Sequence, residues 1–443
     1  MRRPRFRSLV GGAAGIAAGL IGGVVLTSVS AAGPTPMVDG PPLIDATHVP
    51  PALTVRGEPI TLRYGLICTP RADGLPCDGS GTVYLREGRS GAFRPYALQR
   101  GDESVDGRYL LDVPPALGDS PDGFSYYAVL RDDSTGATIT VPSGGADAPQ
   151  LSLPLQHPVT VVLGRHLFGS VREPDAPAAH AAWGSGPGDV GLAGSRDLGF
   201  SGPSSFDVER DGSVDVLDSV NRRVLRWSRG RRNDVPVAGD LDLADFAADP
   251  EGGYDVLDEH GTLEHFRADG THAWAQKISD RTWAKLEPGP AVLQQPSEEW
   301  MPVGENGAPL TRAEQKRRGR PGHHGLVIDR VGDGELRVAE LRGSAQPRSW
   351  RVMSDTPLGE VQLAEPHGNG VVIVTRAYTD DRDEFVVLVL GAHGLVQHFS
   401  VASASWTETA PLARFRLAGG ALYRFRTTQA GASVDRFDLE VPQ

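Results

Sequence analysis

Lysine and cysteine are both scarce in this sequence of 443 residues. Lysine occurs only at Lys277, Lys285 and Lys316, so nearly all positive charge is arginine, which we interpret as a trait of the genome rather than of a site. The two cysteines, Cys68 and Cys77, have no histidine nearby, which leaves a tetrahedral metal site incomplete. If the chain is exported, such a close pair is predicted to form a disulfide that closes a small loop, with two free thiols as the alternative.

Several sequence signatures of catalysis are also missing. There is no Gly-x-Ser-x-Gly elbow, no glycine loop ending in Lys-Ser or Lys-Thr, and no His-Glu-x-x-His. The sequence therefore predicts no catalytic residues, no cofactor and no metal ligands. The net charge of −12 repels phosphate backbones, so we do not expect a nucleic-acid partner.

The N-terminus has the pattern of a targeting segment. Four arginines in "MRRPRFRS" precede the apolar stretch Leu9–Leu26, and small residues follow. Residues 1–32 are predicted to be a signal peptide cleaved after Ala31 or Ala32, or an uncleaved membrane anchor, since the apolar stretch is near the shortest possible span. Either route predicts an extracytoplasmic protein, secreted or anchored facing outward.

Glycine and proline, 55 and 35 residues, favour short strands joined by turns. Both cysteines precede residue 80 and every tryptophan follows residue 180, which indicates two domains. In residues 40–155, segments such as "EPITLRYGLIC" alternate apolar and polar residues between turns. About seven such strands resemble an immunoglobulin-like β-sandwich.

Residues 156–443 contain a repeat. Phe206 and Phe246 share the spacing that separates "DVLD" at 215–218 from "DVLD" at 255–258. Repeats of about 40 residues with four strands each are typical of β-propeller blades. Fainter copies bring the predicted number to about six, so the fold class is all-β. We expect residues 158–164 to complete the sixth blade and close the ring, with a simple linker as the alternative.

The first repeat resembles an NHL repeat. Asp218, Asn221, Arg223 and Val224 stand at the Asp-x-x-Asn-x-Arg-Val positions, after a Gly-Pro and an Asp-Gly turn. In that family this motif is largely structural, because its polar side chains tie the turn between two strands. The resemblance implies binding of proteins, nucleic acid or small ligands on one face of the ring, and a minority of members are lyases or hydrolases.

Charged clusters supply the candidate sites. Asp207, Asp211, Asp215 and Asp218 invite a calcium hypothesis, but their spacing differs from a calcium loop and favours structural roles. Two basic clusters could bind a polyanion, although solvated loops are the simpler interpretation. The candidate binding surface comprises Arg222, Arg223, Arg317, Arg318, His323 and His324.

These observations favour an exported binding or scaffolding protein whose propeller face recognises a protein or a cell-envelope polymer. An extracellular propeller enzyme, a hydrolase or lyase acting on a glycan, peptide or lactone, is the main alternative. A sensor or assembly subunit is a third, if the N-terminal segment stays in the membrane. Apart from that segment we expect no membrane contact.

Overall fold

The computed structural model describes residues 43–68, 78–101, 108–155, 157–195, 199–237, 244–249, 253–258, 261–277, 285–287, 292–294, 300–302, 325–340, 348–408 and 411–443. These residues are almost entirely β-strands, with one short helix, α1 at Pro115–Gly118, and one 3-10 turn at Gly145–Asp147. Residues from Pro42 onward form one compact unit. No helix within the described ranges is long and apolar enough to span a bilayer. The predicted targeting segment, residues 1–32, lies outside those ranges.

The first ten strands form two sheets. One has the order β1-β3-β7-β6, and the other has the order β2-β10-β8-β4-β5 with β9 on β8. Alternate residues of β3, such as Leu62 and Tyr64, and of β8, such as Tyr126, bury their side chains in a shared core. The strands are β1 Ile44–Thr47, β2 Leu53–Thr54, β3 Thr61–Cys68, β4 Gly79–Glu87, β5 Arg94–Ala97, β6 Gln99–Arg100, β7 Arg108–Asp112, β8 Phe124–Asp132, β9 Thr138–Val141 and β10 Gln150–Pro154. This is a β-sandwich; its immunoglobulin-like character stays a prediction.

A disulfide between Cys68 and Cys77 also stays a prediction. Cys68 ends β3, and Cys77 lies outside the described residues.

Six further sheets follow along the chain and are consistent with propeller blades; we number them blade one to blade six. Blade one is β15-β16-β17-β18 and blade two is β19-β20-β21-β22, while three strands of blade three are described, β23-β24-β25. Their bounds are β15 Ser205–Val208, β16 Val214–Asp218, β17 Arg223–Ser228, β18 Arg231–Pro236, β19 Asp245–Ala248, β20 Tyr254–Leu257, β21 Thr262–Phe266, β22 His272–Lys277, β23 Lys285–Glu287, β24 Val292–Gln294 and β25 Trp300–Pro302.

Blade five is β29-β30-β31-β32. Blade four is β26-β27-β28 with β11 as its fourth strand, and blade six is β33-β34-β35 with β12 as its fourth strand, so each includes a strand from an earlier part of the chain. The remaining bounds are β11 Val159–Gly164, β12 Ala176–Ala182, β13 Ala193–Ser195, β14 Gly199–Ser201, β26 Leu326–Val331, β27 Glu335–Glu340, β28 Ser349–Ser354, β29 Leu358–His367, β30 Gly370–Tyr378, β31 Asp383–Gly391, β32 Gly394–Ala402, β33 Phe415–Ala418, β34 Ala421–Thr428 and β35 Gly431–Asp438. The small sheet β13-β14 precedes blade one.

The first strands of successive blades contact one another. These inner strands meet in the series β26, β29, β33, β15, β19 and β23. Between blades six and one, Phe206 and Phe425 stack inside one apolar cluster; between blades one and two, Leu217 packs with Phe246. From blade four through blades five, six, one and two to blade three, each blade thus packs against the next, as neighbouring blades of a propeller do.

The predicted closing strand was assigned to the wrong blade. Residues 159–164, β11, pair in parallel with β28 and form the outer strand of blade four. The strand that completes blade six is β12, which pairs antiparallel with β35. β11 has a strand-forming sequence, whereas β12 is rich in alanine and becomes a strand through its pairing with β35.

Between these two strands the chain crosses blade five. His166 Nε2 lies 2.9 Å from Glu384 Oε2, and the amide of Gly169 donates to Glu384 Oε1 at 2.6 Å. Arg172 then donates its amide to the carbonyl of Ser400. Residues 159–182 therefore form a strap that joins three blades from outside.

The sandwich contacts blade four. Leu53 and Leu155 pack with Ala339 in a small cluster, and the amide of Leu53 donates to Asp329 Oδ2 at 3.1 Å. Arg337 donates to the carbonyl of Leu53 at 3.2 Å and to Glu58 at 2.6 Å. Blade four packs on blade five through its apolar face, and Arg337 lies on the opposite face. In a regular propeller the preceding blade covers that opposite face, whereas here the sandwich contacts it.

Candidate functional site

The NHL-like residues form one hydrogen-bonded turn in blade one. Asp218 is fully buried and accepts bonds from the amides of Gly191 and Asn221, from Asn221 Nδ2 at 2.8 Å and from Arg223 Nε at 3.2 Å. A Cβ at Gly191 would lie 2.7 Å from Asp218 Oδ1, so the close approach requires glycine. The motif ties the turn, as predicted, and also holds the segment 184–191.

Two members of the predicted binding surface lie beside this turn. Arg222 is exposed at positive φ, while Arg223 also donates to Asp234 at 3.0 Å and to the carbonyls of Gly186 and Asp189. Arg223 is therefore engaged within the fold. The other members, Arg317, Arg318, His323 and His324, lie outside the described residues, and the surface as a whole stays a prediction.

The four aspartates considered for calcium have separate partners. Asp207 accepts a bond from the amide of Ala248 and pairs with Arg416, and Asp211 accepts the amide of Ser213 in a turn. Asp215 pairs with Arg226. Within the described ranges, no three His, Cys, Asp or Glu side chains are grouped so that they could hold a metal ion.

An acid–base–acid group repeats in blades one and two. In blade one Arg226 bridges Asp215, with an Nε–Oδ1 distance of 2.9 Å, and Glu209. Burial raises the pKa of Asp215, the Arg226 guanidinium opposes that rise, and the pKa of Arg226 is itself raised by the Asp215 carboxylate.

In blade two His265 stands at the corresponding position. Its Nδ1 lies 2.9 Å from Asp255 and its Nε2 lies 3.8 Å from Asp249, while its ring stacks on Trp274. Burial raises the pKa of Asp255, and the hydrogen bond from His265 opposes the rise. Because the same arrangement occurs in two repeats, we interpret both groups as structural ties between strands.

Aromatic and hydroxyl side chains meet on one end of the ring. We call this end the connection face, because it carries the loops that join the second strand of a blade to the third and the loops that join one blade to the next. Trp406, between blades five and six, stacks on Phe200 at 4.9 Å and lies 5.7 Å from Trp183. The hydroxyls of Ser405 and Thr407 lie 2.7 and 2.9 Å from that of Thr427. These half-buried rings belong to the loops on both sides of blade six.

Next to this cluster, between blades five and six, lies a small pocket that is open to solvent and has a volume of about 10 Å³. We call it the arginine pocket; its lining includes Ser403, Ser405, Phe385, Arg414, Arg424 and Arg426. Arg414 lies over the Phe385 ring, with 5.4 Å from Cζ to the centroid. Arg424 and Arg426 project from the same face of β34 because they are two residues apart.

Charge in the pocket is predominantly positive. Arg426 donates to Asp435 at 2.5 Å. Burial lowers the pKa of Arg424 to about 10, helped by repulsion from Arg426 and Arg414 and opposed by Asp435. Burial also lowers the pKa of Arg414, with attraction from Glu360 in the opposite direction. Guanidinium groups are charged at neutral pH, so the pocket presents cationic donors beside serine hydroxyls.

The sequence alone did not predict this pocket. Its signal was the pair of Arg-Phe-Arg triplets at 414–416 and 424–426, in which alternate residues of a strand share a face. In the first triplet, however, the two arginines have different partners: Arg416 contacts Asp207 of blade one, and Arg414 contacts Phe385 of blade five. The triplets alone therefore do not predict which arginines share a pocket.

Comparison with known proteins adds little. No protein-family model matches the chain, and no curated protein matches it. Among solved structures, it is similar to a streptogramin B lyase at 8% identity, covering 56% of this chain and 86% of that one with a TM-score of 0.30. BamB from Moraxella catarrhalis matches at 11% identity, 56% and 86% coverage and a TM-score of 0.29. YCF48 from Cyanidioschyzon merolae matches at 9% identity, 53% and 95% coverage and a TM-score of 0.29.

These three are β-propeller proteins, and the likeness extends over about half of this chain. At such TM-scores it carries no argument about function. The propeller-like fold is seen in the blades and their contacts, and the connection face brings aromatic rings, hydroxyls and guanidinium groups together.

Proposed function

We propose that the protein is an exported binding protein that recognises a cell-envelope ligand through the connection face at blade six. The observation that carries the proposal is the aromatic–hydroxyl cluster of Trp183, Phe200, Trp406, Ser405 and Thr427 beside the arginine pocket. Sugar rings bind proteins by stacking on such rings and by bonding to such hydroxyls.

The loops of a propeller suit this role because they can differ in sequence without disturbing the blades. We infer a six-bladed ring of NHL type preceded by an immunoglobulin-like sandwich. The contact through Arg337 ties the sandwich to blade four, and the strap through His166 ties blades four to six to one another. In this proposal the sandwich acts as a spacer or a second contact, and residues 1–32 direct export.

The test is a thermal-shift screen of residues 33–443 against soluble peptidoglycan fragments, neutral oligosaccharides and polyanionic wall polymers. A ligand that binds only the folded state raises the melting temperature, by an amount corresponding to about 2.7 kcal/mol at a hundred times its Kd. We expect at least one glycan-containing probe to do so, and to change tryptophan fluorescence.

Trp406→Ala should abolish that shift. Trp274→Ala is the matched control, since Trp274 is also half-buried but stacks on His265 in blade two. The proposed function fails if no envelope probe stabilises the protein, or if both variants respond like the wild type.

A further inference from the structure

Arg424 is a buried cation to which no carboxylate among the described residues is hydrogen-bonded. Its side chain is in the inner part of blade six, with 7% of its surface exposed. In the described part of the chain, the nearby carboxylate of Asp435 is hydrogen-bonded to Arg426. Asp435 therefore attracts Arg424 electrostatically but is not hydrogen-bonded to it. Burying a charge is costly unless it is paired and hydrogen-bonded.

Arg414 adds a second cation to the same pocket. It contacts the Phe385 ring and has two carboxylate neighbours: Glu360 attracts it electrostatically, and Asp383 is bonded to Arg376 at 2.8 Å. Two guanidinium groups therefore border one cavity, where they repel each other. This repulsion opposes folding, and a bound anion would relieve it.

Guanidinium groups match one kind of ligand particularly well. Their planar N–H donors bind the paired oxygens of a carboxylate or phosphate in a bidentate manner, which a point cation cannot do. Ser403 and Ser405 line the same pocket. Ser403 donates its one proton to the carbonyl of Asp383, so Ser405, whose bond to Thr427 can run in either direction, is the hydroxyl that can donate to the ligand.

We propose that the arginine pocket binds an oxyanion group, a carboxylate or a phosphate, through Arg414 and Arg424. The oxyanion site rests on the proposed function for the source of the anion. That source is an acidic sugar or a phosphate-bearing wall polymer whose neutral part lies on Trp406. Residues 33–443 should bind inorganic phosphate or glucuronate, and should not bind glucose through this pocket.

The experiment measures binding of inorganic phosphate, glucuronate and glucose by calorimetry and by thermal shift, with chloride added to equal ionic strength. Arg424→Gln should weaken anion binding by about tenfold to a hundredfold, the loss expected for a charge-assisted hydrogen bond. Arg414→Gln should weaken it in the same direction. Arg436→Gln, which removes a half-exposed arginine paired with Asp438 on the same blade, should leave it unchanged.

Without anion, Arg424→Gln should melt at the same temperature as the wild type or higher, because it removes an unpaired buried charge. That readout separates loss of binding from loss of folding. Binding of phosphate alone identifies a phosphoryl source, and binding of glucuronate alone identifies a carboxylate source; both support the proposal. It is overturned if neither anion binds the wild type, or if Arg424→Gln binds as tightly.

The two proposals fail separately. Envelope probes that bind wild type and Arg424→Gln equally would overturn the oxyanion site and leave the binding role. Anions that require Arg424, with no envelope probe bound, would leave the oxyanion site and overturn the binding role.

Discussion

Ser205 donates a hydrogen bond of 2.6 Å to Asp245, and the two residues stand 40 positions apart, each at the start of the inner strand of its blade. The other oxygen of Asp245 accepts the amide of Leu286 in blade three, also at 2.6 Å. One buried carboxylate therefore joins the inner strands of three successive blades, and the repeat spacing brings its partners within reach.

Asp245→Ala should destabilise the ring. It leaves the Ser205 hydroxyl and the Leu286 amide without their acceptor, and bonds to a charged group are each worth about 1.5–3 kcal/mol. We expect a loss of about 3 kcal/mol or more in the free energy of unfolding, measured by urea denaturation. Asp380→Ala, in an exposed loop of blade five, is the control; equal midpoints for the two variants would contradict the role of Asp245.

Asp218→Ala should loosen a local segment. Asp218 accepts the amides of Gly191 and Asn221, so both should exchange hydrogen faster, together with the rest of 184–191. Hydrogen exchange followed by mass spectrometry measures this. Asp211→Ala, which affects only the bonds to Ser213, should leave segment 184–191 protected. Unchanged protection in Asp218→Ala would show that the motif does not hold the segment.

Arg337→Ala should weaken the contact between sandwich and blade four. The side chain of Arg337 is 8% exposed and bonds to Glu58 and Glu335, each at 2.6 Å. Removing one partner of a buried pair costs about 3–5 kcal/mol. Arg348→Ala, which breaks a more exposed pair with Glu340 on the same sheet, should cost about 1 kcal/mol or less.

A double-mutant cycle between Glu58→Gln and Arg337→Ala tests the contact directly. Coupled residues should give an interaction energy of about 1 kcal/mol or more, and additive losses would contradict the contact. Faster exchange of the Leu53 amide, which donates to Asp329, should accompany either change.

Glu335 should make this contact sensitive to acid. Burial alone would raise its pKa, but the hydrogen bonds from Arg351 and Arg337 outweigh burial and lower the pKa from its usual 4.5. An acid with a lowered pKa in the folded state contributes stability above its unfolded pKa and loses it as pH falls. The contribution should therefore be complete above about pH 4.5 and decline below that value.

Glu335→Gln should remove that part of the pH dependence. We expect a flatter curve of melting temperature against pH below 4.5, and a lower melting temperature than wild type at neutral pH. Asp380→Asn, which alters an exposed carboxylate, should keep the wild-type slope. A Glu335→Gln curve parallel to that of the wild type would contradict this assignment.

Local sequence was sufficient for the β-class, for the 40-residue repeat and for the structural role of Asp218, Asn221 and Arg223. Each of these depends on interactions within a strand pair or a turn, so the residues that matter are close in the chain. The alternation in β3 and the paired "DVLD" segments are of this kind, because side-chain period and turn chemistry are local properties.

The tertiary structure decided which edges and faces meet. The sequence predicted a strand at β11 but not at β12, and the partners of the two, β28 and β35, lie far along the chain. Likewise Arg414 and Arg424 become a pocket only because blade six packs against Phe385 of blade five. Backbone pairing at an edge and burial between blades are long-range effects, so no window of sequence contains both partners.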